Sequence, residues 1–177
     1  MRNILFILIL FISMGTQAQN KCEQQIQRMK IFEGNWKYDI KVKPTAESDE
    51  ITFSSTAQND FIYDGKFLKM EGVSKVNNLS GESIGYIGFD DLKCKFTYYI
   101  ISSVAHDATY AEGIFNEEKE KFIFKGSNID PFTLKKRKFR IEMKFLDEST
   151  LEQRNYFEGP DGKEYLGVKV EGKKIED

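Results

Sequence analysis

The sequence predicts an all-β protein: a closed antiparallel up-and-down β-barrel of about ten strands, preceded by a short helix. Short extended segments alternate with turn residues along almost the whole chain, at the spacing expected of a sandwich or barrel. All three prolines (Pro44, Pro131 and Pro160) fall in predicted loops, where a missing backbone N–H breaks no strand pairing. A barrel is favoured over a sandwich because closing a sheet of consecutive hairpins removes both of its exposed edges.

The first predicted strand contains the only tryptophan and shows the clearest alternation. One face carries Trp36, Tyr38, Ile40 and Val42, and lysine or aspartate occupies the positions between them. A strand with this pattern buries one face and exposes the other. Gly34 precedes it and leaves room for a bulky indole, so Gly34 and Trp36 are predicted to close one end of the barrel core.

The chain of 177 residues is predicted to form one domain behind a targeting segment. Residues 1–18 are typical of a secretory signal peptide, with a basic start, an apolar run and small residues before the cleavage point; a retained anchor is the alternative. Residues 19–33 are predicted to hold the short helix, and residues 34–177 the barrel. The protein is therefore predicted to be exported, to the periplasm or beyond, without membrane insertion once the signal is removed.

The charge balance argues against nucleic acid as a partner. Without residues 1–18 the chain holds 25 basic and 28 acidic residues, a net charge of −3. A phosphate backbone would require a clustered positive excess. The single basic run, Lys135 to Lys138, is interpreted as the solvated start of a strand.

Cys22 and Cys94 are the two cysteines, and export would expose them to a compartment in which disulfides form. Two interpretations stay open, because the sequence does not say whether the two Cα atoms lie within bridging range. The cysteines form a disulfide, or Cys94 is a small buried residue on its strand.

No catalytic constellation or metal cluster is recognised, so we predict neither enzyme activity nor a cofactor. The only histidine, His106, lies beside Asp107 in a predicted hairpin turn, with no serine or cysteine nucleophile placed against it. One histidine and two distant cysteines do not form a zinc site.

The predicted strand from Thr150 to Glu158 departs from simple alternation, because both of its faces carry polar residues. If Leu151 points inward, Gln153 and Asn155 point inward with it. A buried polar side chain needs a partner in the protein, in water or in a ligand. Gln153 and Asn155 are therefore candidate ligand contacts; the alternative is that they bind each other or buried water.

The tripeptide Gly34-Asn35-Trp36, at the start of the first strand, resembles the Gly-X-Trp signature of the calycin group, which includes lipocalins and fatty-acid-binding proteins. The wider pattern, from about Ile31 to Lys174, is similar to an uncharacterised bacterial family of exported lipocalin-like barrels. It comprises Asp64 to Leu68, Gly85 to Asp90, Gly113, Gly126 and Asp161 to Tyr165. The resemblance implies a closed antiparallel barrel of about ten strands and brings no activity with it.

The resemblance also implies a basic side chain stacked on the signature tryptophan. Arg154, Lys173 and Lys174 are the candidates, and Arg154 is grouped with Gly34 and Trp36 as a barrel-end residue. Related barrels of the nitrobindin type hold haem through a histidine on a late strand. His106 lies in a predicted turn, so the resemblance does not support haem here.

Two functions of different classes remain. The first is a binding module that encloses a small, mostly apolar molecule, anchored by Tyr38, Tyr98, Gln153 and Asn155. The second is a structural or interaction protein whose aromatic residues (15 Phe, 8 Tyr and 1 Trp) fill the barrel and which acts through an apolar surface patch. A large interior cavity would favour the first function, and a packed interior the second.

Overall fold

The predicted fold class is confirmed by the structure, a computed structural model that describes residue 22 and residues 24–76, 79–103, 105, 107–130 and 134–176. Each strand pairs antiparallel with its neighbours along the chain, and the first strand pairs with the last, so the barrel is closed. The strands are β1 (Gly34–Val42), β2 (Ile51–Ile62), β3 (Phe67–Val76), β4 (Leu79–Asp90), β5 (Lys95–Ser102), β6 (Thr109–Asn116), β7 (Lys121–Ile129), β8 (Lys136–Phe145), β9 (Thr150–Glu158) and β10 (Glu164–Ile175).

A short helical segment precedes β1. Residues 24–27 are α-helical and continue into a 3-10 helix at Arg28–Phe32. Met29 and Phe32 are 0% and 3% exposed because this segment packs against the hydrophobic core at one end of the barrel. In the described part of the chain, no helix combines the length and apolar character that a membrane crossing needs. The predicted signal segment, residues 1–18, lies outside the described residues.

The up-and-down topology gives the barrel two distinct ends. The turns that follow β2, β4, β6 and β8 lie at the end covered by the helical segment, which we call the closed end. The connections that follow β1, β3, β5, β7 and β9 lie at the opposite, open end. At the closed end, the predicted Asp64-Gly65 turn joins β2 to β3, and both residues have positive φ (57° and 82°). Glycine adopts such a conformation without steric cost.

The interior is filled unevenly. Near the closed end, the ring of Phe122 lies 5.1 Å from that of Phe96 and 5.2 Å from that of Phe32, with tilted or edge-on geometry. Phe124 and Ile141 continue this packing along β7 and β8 with at most 3% exposure. The side of the interior bounded by β1 to β5 is less filled and contains a cavity.

Candidate ligand-binding site

A cavity of about 650 Å³ occupies the barrel interior, mainly between β1 and β5. Its rim includes Val42, Ile51, Ser74 and Ser102, which lie at the strand ends of the open end, and it extends down to Phe32 of the helical segment. The volume falls within the range of roughly 300–1,000 Å³ that is usual for small-molecule sites.

The lining is mostly apolar, and among the described residues it contains no charged side chain. Serines are the commonest polar residues, and they occur on the neighbouring strands β2 to β5. The polar lining residues are Tyr38, Ser55, Asn59, Ser74, Ser80, Ser83, Tyr98, Ser102 and Gln153. Such a wall suits an uncharged, mainly apolar molecule, because an unpaired buried charge would lose its hydration without compensation.

Two of the predicted contacts, Tyr38 and Tyr98, line this cavity from β1 and β5. Tyr38 stacks on Trp36, with ring centroids 6.1 Å apart and planes 8° from parallel. Burial raises the pKa of both phenols, that of Tyr98 to about 12, and for Tyr38 the nearby Asn59 amide opposes part of the rise. Both hydroxyls are therefore neutral near pH 7 and act as hydrogen-bonding groups.

The other two predicted contacts, Gln153 and Asn155, both face inward from β9, opposite inward residues of β8 and β10. The Gln153 Nε2 donates a hydrogen bond of 2.9 Å to the Asn155 Oδ1, so the amides pair with each other. Gln153 also lines the cavity, whereas Asn155 is not part of its lining. Ligand contact by these residues stays a prediction, and Gln153 is the better placed of the two.

Asn59 is a site residue that the sequence analysis missed. It lies on β2, is 1% exposed and lines the cavity. Its Nδ2 donates a hydrogen bond of 2.9 Å to the Phe32 carbonyl, which also accepts one of 2.8 Å from the Trp36 indole N–H. The Asn59 Oδ1 is buried and has no hydrogen-bond partner among the described residues. The alternation of β2, which puts Ser55 and Ala57 inside, was the available signal for Asn59, two residues further on.

The basic residue on Trp36 is Lys174, and the prediction of Arg154 as a barrel-end residue was wrong. The Lys174 Nζ lies 5.6 Å from the centroid of the indole ring system. Arg154 alternates with the inward Gln153, so it faces solvent and donates to the Glu152 carboxylate at 3.1 Å. Gly34 makes room for this lysine, since a Cβ there would lie 3.1 Å from Lys174 Cε, and its φ of 108° favours glycine.

A disulfide joins Cys22 to Cys94, with Cα atoms 5.5 Å apart. Cys94 lies in the turn between β4 and β5 rather than on a strand, and has a positive φ of 53°. Arg28 makes a second contact with this end: it stacks on Phe115, 4.0 Å from the ring centroid, and pairs with Glu117 at 2.7 Å. The helical segment is thus fixed to two turns of the closed end.

The basic run at the start of β8 is not uniformly solvated, which corrects the prediction for Arg137. Its side chain is 12% exposed and lies 4.0 Å above the Phe157 ring. It pairs with Asp130 at 2.9 Å and donates to the Tyr165 hydroxyl, which donates in turn to the Pro44 carbonyl at 2.9 Å. These contacts cover the β7–β10 side of the open end. Arg137 lies two residues before the buried Phe139 and therefore on the same, inward face of β8. This alternation was the feature of the sequence that could have predicted its burial.

His106 lies outside the described residues, so the structure does not bear on its role. Within the described ranges, no three histidine, cysteine, aspartate or glutamate side chains come together in a way that would hold a metal ion.

Comparison with known proteins adds a family and a fold relative. The model of a family described as protein of unknown function (DUF1579) matches residues 21–174. The barrel resembles the structure of an S-type phycobiliprotein lyase from Guillardia theta, with a TM-score of 0.57 and 10% sequence identity, over 85% of this chain and 92% of that chain. At this identity the likeness shows the fold alone. No curated protein matches the chain.

Proposed function

We propose that this chain, which belongs to the DUF1579 family of proteins of unknown function, is an exported protein that binds a small, mostly apolar molecule inside its barrel. The observation that carries the proposal is the cavity of about 650 Å³, which reaches from the open end to the helical segment. Sites of this size and apolar character usually hold small molecules or cofactors. A barrel whose aromatic residues only filled it would have no such space, because protein interiors pack densely.

Binding is better supported than catalysis. The titratable groups that line the cavity, among the described residues, are Tyr38 and Tyr98. Their raised pKa values make both phenols weak acids at pH 7, and a general acid or base works best with a pKa near the working pH. The lyase with a similar barrel suggests how such a fold can be used, but the likeness carries no residue of its site to this chain.

Export is supported by two independent features. Residues 1–18 have the composition of a secretory signal peptide. The Cys22–Cys94 disulfide suits an oxidising compartment, since disulfides are rare in the reducing cytosol. A fractionation experiment that finds the native protein in the cytoplasm with residues 1–18 intact would contradict this part of the proposal.

The proposal is tested by native mass spectrometry of the protein purified from its own host, followed by identification of any released molecule after denaturation. We expect a mass excess that is lost on denaturation. Trp36 gives a second readout, because it is the only tryptophan and stacks on Tyr38, which lines the cavity. Adding the released molecule back to the empty protein is expected to change the Trp36 emission.

A matched pair of variants separates binding in the cavity from binding elsewhere. Ala57 lines the cavity, whereas its neighbour Thr56 is exposed on the outer face of the same strand. Ala57→Phe is expected to fill part of the cavity and weaken binding, and Thr56→Phe to leave it unchanged. An empty native protein, or equal binding by the two folded variants, would contradict the proposal.

A second candidate, a protein-interaction role, is favoured by an apolar patch on the outer face. Tyr99 lies opposite Tyr86 on one neighbouring strand and Tyr110 on the other, and Ile84 faces Ile101 in the next row. Tyr99, Ile101 and Tyr110 are 39–48% exposed. An interaction role predicts association that Ile101→Lys weakens, measured by light scattering. A monomer at all concentrations, with no captured partner, would count against it.

A further inference from the structure

The Asn59 amide gives the deep part of the cavity a specific hydrogen-bonding character. Its nitrogen is engaged by the Phe32 carbonyl, and this bond fixes the orientation of the amide. Its oxygen is an acceptor that is buried and unpaired among the described residues. Leaving a buried acceptor without a donor is costly, so such groups in folded proteins normally have a partner. Because Asn59 lines the cavity, a molecule bound there is in a position to supply the missing donor.

The neighbouring groups restrict what that donor can be. Within the described lining there is no lysine, arginine or histidine, so a buried carboxylate would have no cation to pair with. A carboxylate also has no hydrogen to donate to a carbonyl oxygen. A hydroxyl or an amide N–H satisfies the Asn59 Oδ1 and adds no charge. Tyr38, which also lines the cavity and lies near Asn59, can bond to the same polar group.

We infer that Asn59 Oδ1 is the acceptor for a hydroxyl or N–H group at the buried end of an uncharged, mostly apolar ligand, so that the cavity selects alcohols against carboxylates of the same chain length. This inference rests on the proposed binding function and adds a ligand class to it. The paired amides Gln153 and Asn155 already satisfy each other in part, which makes Asn59 the stronger determinant.

The test compares three probes of similar length: 1-decanol, its methyl ether and decanoate. Their dissociation constants are measured from Trp36 emission and by calorimetry at pH 8, where decanoate is charged. We expect the alcohol to bind about tenfold more tightly than the ether, which has no donor, and decanoate to bind more weakly still. This comparison needs only the unaltered protein, so it does not depend on whether a variant folds.

Two variants then locate the effect. Asn59→Leu removes the acceptor, while the Phe32 carbonyl keeps its hydrogen bond from Trp36. We expect this variant to bind the alcohol and the ether equally. Gln58→Leu makes a similar change on the exposed side of the same strand and is expected to keep the tenfold preference.

The outcomes separate this inference from the proposed function. If the probes bind but the alcohol binds no more tightly than the ether or decanoate, or if folded Asn59→Leu keeps the preference for the alcohol, the inference is wrong and the binding function stands. If none of the probes binds, the inference is wrong, and if the native protein is also empty, the proposed function is wrong with it.

Discussion

At the residue scale, the paired amides of β9 provide a test of how polar groups are kept inside this barrel. Gln153 donates to Asn155 at 2.9 Å, and both are partly buried. Gln153→Leu leaves the Asn155 amide without this partner, so we expect a loss of about 1–3 kcal/mol in the free energy of unfolding. Replacing both amides by leucine removes the unpaired group, so the free energy of unfolding of the double variant should lie closer to that of the unaltered protein.

The measurement is a double-mutant cycle by urea denaturation. If the losses in unfolding free energy of Gln153→Leu and of Asn155→Leu add up to the loss of the double variant, the two amides are not coupled. In that case water, rather than the partner amide, satisfies them.

Tyr98 makes a pH-dependent contribution to the free energy of unfolding, and the sign of this contribution follows from the burial of the phenol. An unfolded chain loses the phenol proton near pH 10, whereas burial raises the folded-state pKa to about 12. Between pH 10 and pH 12 the unfolded state binds fewer protons than the folded state. The contribution of Tyr98 to stability is therefore complete below pH 10 and is lost as the pH rises towards 12. The expected loss is about 2–3 kcal/mol.

The same measurement on Tyr98→Phe isolates this contribution from the other groups that titrate at high pH. The variant should show a shallower fall in unfolding free energy between pH 10 and 12. Identical slopes for the two proteins would mean that the Tyr98 phenol titrates normally in the folded state.

The inward or outward direction of a side chain was the part of the site that the sequence could predict. Alternation correctly put Tyr38 and Gln153 inside, and the same rule, applied further along β2 and β8, would have found Asn59 and Arg137. The same rule also favours Lys174 over Arg154, because Lys174 shares the parity of the inward Val170 whereas Arg154 alternates with the inward Gln153. It does not show which residue lies opposite Trp36, and that pairing with Lys174 follows from the register between β1 and β10.

At the element scale, the helical segment depends on tertiary contacts more than on its own propensity. It is shorter than the roughly 12–15 residues that make an isolated helix even marginally stable in water. Met29 and Phe32 are buried against the closed end, and the Cys22–Cys94 disulfide fixes the start of the segment to a turn. The sequence predicted its existence from apolar spacing, but its change to 3-10 geometry follows from packing against the barrel.

Removing the disulfide should destabilise the whole barrel. The two cysteines are 72 residues apart, so the bond restricts a long loop of the unfolded chain. We expect Cys22→Ser with Cys94→Ser to lower the free energy of unfolding by about 2–4 kcal/mol. Chemical reduction of the unaltered protein should reproduce the loss. A change below about 0.5 kcal/mol in both experiments would show that the closed end is held without the bond.

At the scale of the whole molecule, the number of strands and the closure of the barrel could be predicted from the sequence, whereas the interior cavity could not. Ten alternating segments with short turns leave few topologies, and pairing β1 with β10 satisfies the edges of both. Whether such a barrel is filled depends on how particular side chains pack across it. Phenylalanines crowd the β7–β8 side, while serines and Gly72 leave the β2–β4 side open, and composition alone does not reveal that asymmetry.

The pairing that closes the barrel carries an unfavourable arrangement of surface charge. On the outer face of β10, Lys169 lies between Lys41 of β1 and Arg154 of β9. Two residues further along, Glu171 lies between Asp39 and Glu152 in the same way. Like charges directly opposite each other destabilise a strand pair. The favourable contacts run along the strands: Lys169 and Glu171 lie 2.7 Å apart within β10, and Arg154 and Glu152 lie 3.1 Å apart within β9.

Exchanging the two β10 residues, Lys169→Glu with Glu171→Lys, should therefore stabilise the closed barrel. The exchange keeps the composition, the net charge and the opposite-charge pair within β10. It converts four like-charge juxtapositions with Lys41, Arg154, Asp39 and Glu152 into attractive ones. We expect a higher urea midpoint at low ionic strength and a gain that shrinks as salt is added, because exposed charges are screened.

The matched control is the exchange on β3, Lys69→Glu with Glu71→Lys, which breaks no like-charge row and puts a glutamate opposite Asp60. It should give no gain. An unchanged or lower midpoint for the β10 exchange would mean that these rows do not oppose closure of the barrel.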